Sequence, residues 1–506
     1  MKSKQLKAQK GSRGLKLPLK GIVGVLLMLF FAIYTATKFP YTYMAMEGDG
    51  FWALTKDFWQ LKLAALPAVT SWLADFLIQF YDLPYLAAGI EAAVLGTIGL
   101  LAYLALSNFK GDPSGKKASP QGDWVMVTIP WLAFIPPVLL GFFCTFCLSF
   151  QLQCLFFFGL LEIFLIIPNS KGKFLFSLAC VPVGFLLLRT PMLGLLLLIQ
   201  YFLIHITDKY SIIWNCPLIL FSVTPLVYSQ RVAFIPSDQS YTEWGLNYFA
   251  PLTSKYNRDG EYIKKMVCLS NEQRWEDLLY KEHIKSDALR GNSIALRYAL
   301  LAESALGTMP ENLLAYPIRD ENKFLYPHET NYVALQFNRL FYLNLGVYDE
   351  AFHHAEEYGL MMPNGICFSS LRQMVDYSIE EGEWEIADKF LRILSKSSCH
   401  KKFIKERRET MEAAKKTFKK DIQLRADNFV GGYPLPVEML RLARYYQDES
   451  QRKKMTDYAI CSYMLRGDAS SFMIAIKAFD IYKDKELPKA YREFLDAISA
   501  SSKQFQ

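Results

Sequence analysis

The chain has 506 residues, 52% of them apolar, 15% aromatic and 21% charged, with a formal net charge of +7. The excess sits in the first 230 residues, which hold 17 Lys and Arg against 10 Asp and Glu, while the remainder balances at 39 of each. A neutral second half argues against a nucleic-acid partner, which needs a net basic face to displace counterions from phosphates, and the nine scattered cysteines form no disulfide framework.

Residues 1–20 carry seven Lys and Arg and are expected in the cytoplasm. A helix needs about 20 apolar residues to cross the hydrocarbon core. The apolar runs predict seven spans in a transmembrane helical domain over 21–229: 21–37, 84–106, 127–148, 151–168, two from 174–206 divided at Arg189-Thr190-Pro191, and 211–229. Lys110, Lys116, Lys117, Lys171 and Lys173 then fall on cytoplasmic loops. The N terminus is inside, and seven crossings put everything after Tyr228 outside the cytoplasmic membrane. Glu91 and Glu162 lie within spans, where facing lipid is costly, so each is expected to turn inward or to lie near an interface. Cys144 and Cys147 form C-x-x-C in "GFFCTFCLSF", without a neighbouring charge to lower a thiol pKa, and read as packing residues.

The loop 38–83 is expected outside. Glu47 and Asp49 sit in "MEGDG", which reads as a Gly-flanked turn, and residues 51–80 repeat apolar and aromatic residues at helical spacing, as an interfacial segment would. An acid in the first outer loop, followed by interfacial helices and a second span, resembles the front of membrane-embedded glycosyltransferases that use lipid-phosphate sugar donors. That resemblance implies a catalytic role for Asp49, backed by Glu47, and donor-phosphate binding by Arg189. A divalent metal is implied only under the same resemblance; otherwise no cofactor is expected. An ordinary structural turn is the other reading of the two acids.

A turn-rich connector covers 230–262, and 263–506 reads as helical throughout. Gly346, Tyr348, Ala351, Ala355, Tyr358 and Pro363 in "LGVYDEAFHHAEEYGLMMP" match the turn and second helix of a tetratricopeptide repeat. The frame recurs at Gly382, Trp384, Ala387 and Leu391, at Gln273, Trp275 and Leu278, and more loosely from Gly307. Successive starts lie 34, 39 and 36 residues apart, close to the spacing of about 34 for this repeat. A small residue lets the chain reverse, an aromatic wedges between the helices, and Ala allows close approach. The segments "LPVEMLRLARYYQDE" and "YREFLDAISAS" are expected to close the stack, and the basic run Lys396 to Arg425 reads as a solvated helix face. His353 and His354 are adjacent on one helix and so point about 100° apart, poor geometry for one metal.

The expected fold is therefore all-α: a polytopic transmembrane bundle of about seven spans followed by an extracytoplasmic TPR-like α-solenoid. The segments "RWEDLLY", "ALRYALLAESALGTMPENLLAY", "LNLGVYDEAFHHAEEYG" and "GEWEIADKFLRILSK" resemble uncharacterised multipass membrane proteins with a tetratricopeptide-like C-terminal region. A looser parallel is with protein O-mannosyltransferases carrying lumenal tetratricopeptide repeats. The expected partners are membrane lipid and a protein or peptide on the repeats. The alternative is the lipid-linked sugar transferase, with the solenoid selecting its acceptor.

Overall fold

The fold is taken from a computed structural model that describes residues 19–64, 67–108, 132–207, 212–228, 257–318, 323–326, 331–418, 434–446, 448–479 and 486–504. The basic N-terminal residues 1–18, Lys110, Lys116, Lys117, the start of the expected span 127–148, most of the connector 230–262 and the end of the basic run, 419–425, lie outside the described residues. Among the described residues the protein is all-α, with no strand. It divides into two units, one of residues 1–43 and 55–257 and the other of residues 44–54 and 258–506.

The helices from α1 (Leu19–Lys38) to α10 begin with α2 (Pro40–Asp49), α3 (Lys56–Ala64), α4 (Ala68–Ile78) and α5 (Pro84–Asn108). They continue with α6 (Ile135–Phe143), α7 (Leu148–Ile166), α8 (Ser170–Leu187), α9 (Thr190–Thr207) and α10 (Cys216–Tyr228). The boundary between the units falls inside α2, after Tyr43. Within the first unit α5 packs on α1 and α7, and α8 on α9 and α10. Leu26, Phe30, Phe142, Ile166 and Phe202 remain exposed, an arrangement suited to lipid, where an apolar helix has no polar face to turn to water.

Seven spans were expected; three described helices, in α5, α7 and α8, are long and apolar enough to cross a membrane. A fourth arises if α1 and α2 are one span, although they are bent by 80°. The break at Arg189-Thr190-Pro191 occurs as expected, but α6 has 9 residues and α10 has 13, each too short alone. Glu91 and Glu162 are both buried, as their position within apolar runs requires. Glu91 accepts hydrogen bonds from the hydroxyls of Tyr43 at 3.2 Å and Tyr81 at 3.4 Å.

The second unit contains α11 (Arg258–Asn271), α12 (Ile284–Leu289), α13 (Ser293–Leu306), α14 (Met309–Asn312), α15 (Tyr332–Leu345), α16 (Tyr348–Met361) and α17 (Phe368–Glu380). After these come α18 (Trp384–Leu394), α19 (Lys401–Thr417), α20 (Leu435–Ala443), α21 (Glu449–Arg466), α22 (Ala469–Ala478) and α23 (Lys489–Gln504). One turn geometry recurs six times among the described residues, at Gly291 (φ 91°, Asn292 N–H to the Asp287 carbonyl at 3.1 Å) and at five further positions. Gln273, Gly307, Gly346, Gly382 and Gly467 have φ of 56°, 72°, 74°, 72° and 72°. In each case the following residue's N–H reaches back five residues, Arg274 to Leu269, Thr308 to Glu303, Val347 to Tyr342, Glu383 to Ser378 and Asp468 to Tyr463, at 2.8–2.9 Å. This closure satisfies the last carbonyls of a helix and reverses the chain.

The turns at Gln273, Gly307, Gly346 and Gly382 stand at the starts read from the spacing. Ala351, Ala355, Ala387 and Leu391 are fully buried, Tyr348 lies beside Tyr377, and Trp384 meets Phe418 with ring centroids 5.3 Å apart. Helices α15 to α18 pack in succession, and α19 lies on α17 and α18. The C-terminal helices return toward the earlier hairpins, α21 packing on α13 and α15 and α23 on α14. The Tyr446 hydroxyl donates to the Gly346 carbonyl, and the Gln451 amide to that of Asn344 at 3.1 Å.

Residues 38–83 are therefore not a single outer loop of the membrane half. Met44–Leu54 belongs to the second unit. The Phe368 N–H donates to the Gly50 carbonyl at 2.9 Å, the Leu54 N–H to that of Lys396 at 3.1 Å, and the Phe51 and Phe368 rings meet at a tilt with centroids 5.5 Å apart. Glu47 and Asp49 do not occupy a turn either: they lie in the last turn of α2.

Candidate functional site

Helix α17 has two faces. Phe368, Leu371, Val375 and Ser378 are buried, whereas Ser369, Arg372, Gln373, Asp376, Tyr377 and Glu380 recur three and four residues apart and line a pocket of about 560 Å³. Helix α15 adds Arg339 and Leu343, α19 adds Phe403, Arg407 and Thr410, and the end of α11 and the left-handed turn after it add Asn271 and Gln273. The wall mixes aromatic and aliphatic carbon with arginines and amides, the combination that fixes a ligand's orientation.

The three arginines differ in their compensation. Arg372 forms a two-pronged pair with Glu47, at 3.0 and 2.8 Å. Arg407 is paired with Asp376 at 2.5 Å. Arg339 is 1% exposed, and its partners are all neutral: the Tyr377 hydroxyl at 2.8 Å, the Asn271 amide oxygen at 2.8 Å, and Gln336 at 3.3 and 3.1 Å. Among the described residues no carboxylate lies within 4.0 Å of it. Burial raises the Asp376 carboxyl above its ordinary value even though Arg407 opposes the shift. The buried amide oxygen of Gln373 has no hydrogen-bond partner.

Glu47 and Asp49 are brought together in the second unit, each already engaged. Glu47 is 3% exposed, held by Arg372 and with His400 Nε2 at 3.8 Å. Asp49 accepts from the Tyr358 hydroxyl, with Tyr332 and Lys264 nearby. Burial pushes its carboxyl up to about 6, against the Tyr358 hydrogen bond and the Lys264 charge. Arg189 belongs to the first unit, between α8 and α9, where its N–H donates to the Gln153 side chain at 3.2 Å. Of the repeat residues, Gly307, Gly346 and Gly382 make turns, Ala351 and Ala387 make close helix contacts, and Trp275, Tyr348 and Trp384 are partly buried after those turns. Among the described residues no three His, Cys, Asp or Glu side chains converge as a metal site would require.

Arg339, Arg372 and Arg407 escaped the sequence reading. A signal existed for Arg339: in "YVALQFNRLFYLNL" it falls on the stripe of Leu335 and Leu343, four residues to either side, and so enters the interior with its helix. The first unit holds a separate apolar pocket of about 340 Å³, lined by residues including Ala102, Ile135, Phe158, Leu161, Ile199 and Leu203.

No curated protein and no solved structure matches the chain. A family model described as a family of unknown function (DUF6057) matches residues 15–506, and the chain belongs to that family.

Proposed function

We propose that this protein is a multipass membrane protein of the cell envelope whose second unit is a TPR-like α-solenoid, held outside the cytoplasmic membrane to bind a protein or peptide segment. The pocket carries the reading. It collects one face each of α15, α17 and α19, is polar where those helices would otherwise be covered, and has room for several side chains. The six recurrent left-handed turns among the described residues, four of them at the spacing of the repeat, support the solenoid.

The segment Met44–Leu54 supports the sidedness. It follows α1 and shares a unit with residues 258–506, so both lie on one side of the membrane and the intervening chain crosses an even number of times. Helices α5, α7 and α8 are long and apolar enough for three of these crossings; on this reading at least one of the shorter apolar helices completes an even set. With the basic N terminus inside and the 20-residue α1 as the first crossing, the second unit is outside. The sugar-transferase alternative takes Asp49 and Glu47 as its catalytic acids, and the ties of both to Tyr358 and Arg372 favour the binding reading over it.

The test is site-specific photocrosslinking in intact cells, with a photoreactive residue at Gln373 in the pocket or at Lys402, which is exposed on α19. The proposal expects a discrete polypeptide adduct from position 373 that is absent from position 402. Identical patterns from the two positions would contradict it.

A further inference from the structure

We infer that the pocket of the second unit takes a carboxylate, carried by an acidic peptide segment and received by Arg339. The inference rests on the peptide-binding reading above and names the chemistry of its ligand. A guanidinium removed from water without a counterion is costly. Arg339 is buried to 1% exposure at the pocket wall and is offset only by neutral oxygens. Its four hydrogen bonds use the Nε hydrogen, both Nη2 hydrogens and one Nη1 hydrogen. One Nη1 hydrogen therefore remains for a ligand, since a guanidinium carries five.

The rest of the wall sets the ligand's charge. Arg372 and Arg407 are already neutralised by Glu47 and Asp376, and Glu380 is an exposed acid on the same wall. One uncompensated positive charge beside one exposed acid, Glu380, suits a monoanion better than a doubly charged phosphate. Gln373 supplies a second contact. Its amide has a buried, unpartnered oxygen, and the amide's two ends exchange by a flip that turns the NH₂ toward a bound carboxylate.

The experiment uses the full-length protein in detergent and three random heptapeptide pools: one with Asp and Glu and a free C terminus, one without acidic residues but with a free C terminus, and one without acids and amidated. The inference expects retention of the first pool and none of the third. The second pool distinguishes a C-terminal from a side-chain carboxylate. Acetate should displace the bound pool where acetamide does not, a comparison on the wild-type protein that needs no variant to fold. Arg339→Gln should weaken retention about ten- to a hundredfold. Equal retention of all three pools would overturn the carboxylate inference and leave peptide binding standing. Displacement by inorganic phosphate far below the concentration needed for acetate would overturn the monoanion. Failure to retain any pool would overturn the peptide-binding reading itself, and this inference with it.

Discussion

The tie between Glu47 and Arg372 spans 325 positions of sequence and makes an asymmetric prediction. The Glu47 side chain is 4% exposed and that of Arg372 is 28% exposed. Replacing Arg372 by Gln leaves a carboxylate enclosed in the protein, with His400 3.8 Å away. Losing one partner of a buried pair costs about 3–5 kcal/mol, and the lower end applies because Arg372 reaches solvent. Replacing Glu47 by Gln leaves a guanidinium that water can reach, and costs about 1 kcal/mol. For a unit of this size 1 kcal/mol moves Tm by about 2–4 °C, so Arg372→Gln should lower the melting of the second unit by about 6–12 °C and Glu47→Gln by about 2–4 °C. The double variant should melt above Arg372→Gln alone, since two amides replace a stranded charge. Thermal melts of the detergent-solubilised protein, with proteolysis in the basic helix α19 as a second probe, read both effects. Equal single losses below about 0.5 kcal/mol that simply add in the double variant would refute the pairing, and with it the place of Met44–Leu54 in the second unit.

Other outcomes follow from single positions. Gly346→Ala should cost about 2–3 kcal/mol, because φ is +74° and the new Cβ would stand 2.8 Å from Gln451; Gly307→Ala, at φ +72° with open space around it, should cost about 1 kcal/mol. Comparing their melting temperatures checks the close packing of α21 on the Gly346 turn. The Asp49 carboxyl is raised by burial from 3.8 to about 6, so the folded state binds the extra proton, and this group's contribution to stability is greatest below pH 4 and is lost as pH rises through about 6. Asp49→Asn should remove that part of the slope, and an unchanged pH profile would count against the burial of this carboxyl. Glu303 is the opposite case. Burial opposes its charge, but donors from Thr308, Asn312, Lys285 and Tyr316 prevail and hold its carboxyl low. Its contribution is present at neutral pH and falls away in acid, and Glu303→Ala should cost about 3 kcal/mol by stranding those donors, read as a melting loss that narrows at low pH.

The helical hairpins were legible because their turns need a left-handed residue, and glycine with an aromatic two places on marks such a turn in sequence. Gly467 was not recognised because Ala469 stands where three of the four earlier copies carry an aromatic. Apolar composition located the helices apolar enough to cross a membrane but does not fix their count: among the described residues α6 and α10 are as apolar as a span without being as long. The place of Met44–Leu54 had no local signature, since "MEGDG" reads equally as a turn, and its partners at Tyr358, Phe368 and Arg372 lie more than 300 positions away. The pocket was hidden for a related reason. Its arginines belong to three separate helices, and only their packing shows that Arg372 and Arg407 have acidic partners while Arg339 has none among the described residues.

The central claim, that the front segment and the helical repeats form one unit outside the membrane, is tested most directly by side-specific labelling. Leu54 is 74% exposed and Lys402 has a side chain 90% exposed, both within the second unit. Leu54→Cys and Lys402→Cys, scored above the wild-type background with a membrane-impermeant maleimide, should both label in right-side-out vesicles and both be protected in inverted ones. Labelling of one position from each side would contradict the shared unit, and labelling of both only in inverted vesicles would place that unit in the cytoplasm and overturn the proposed display.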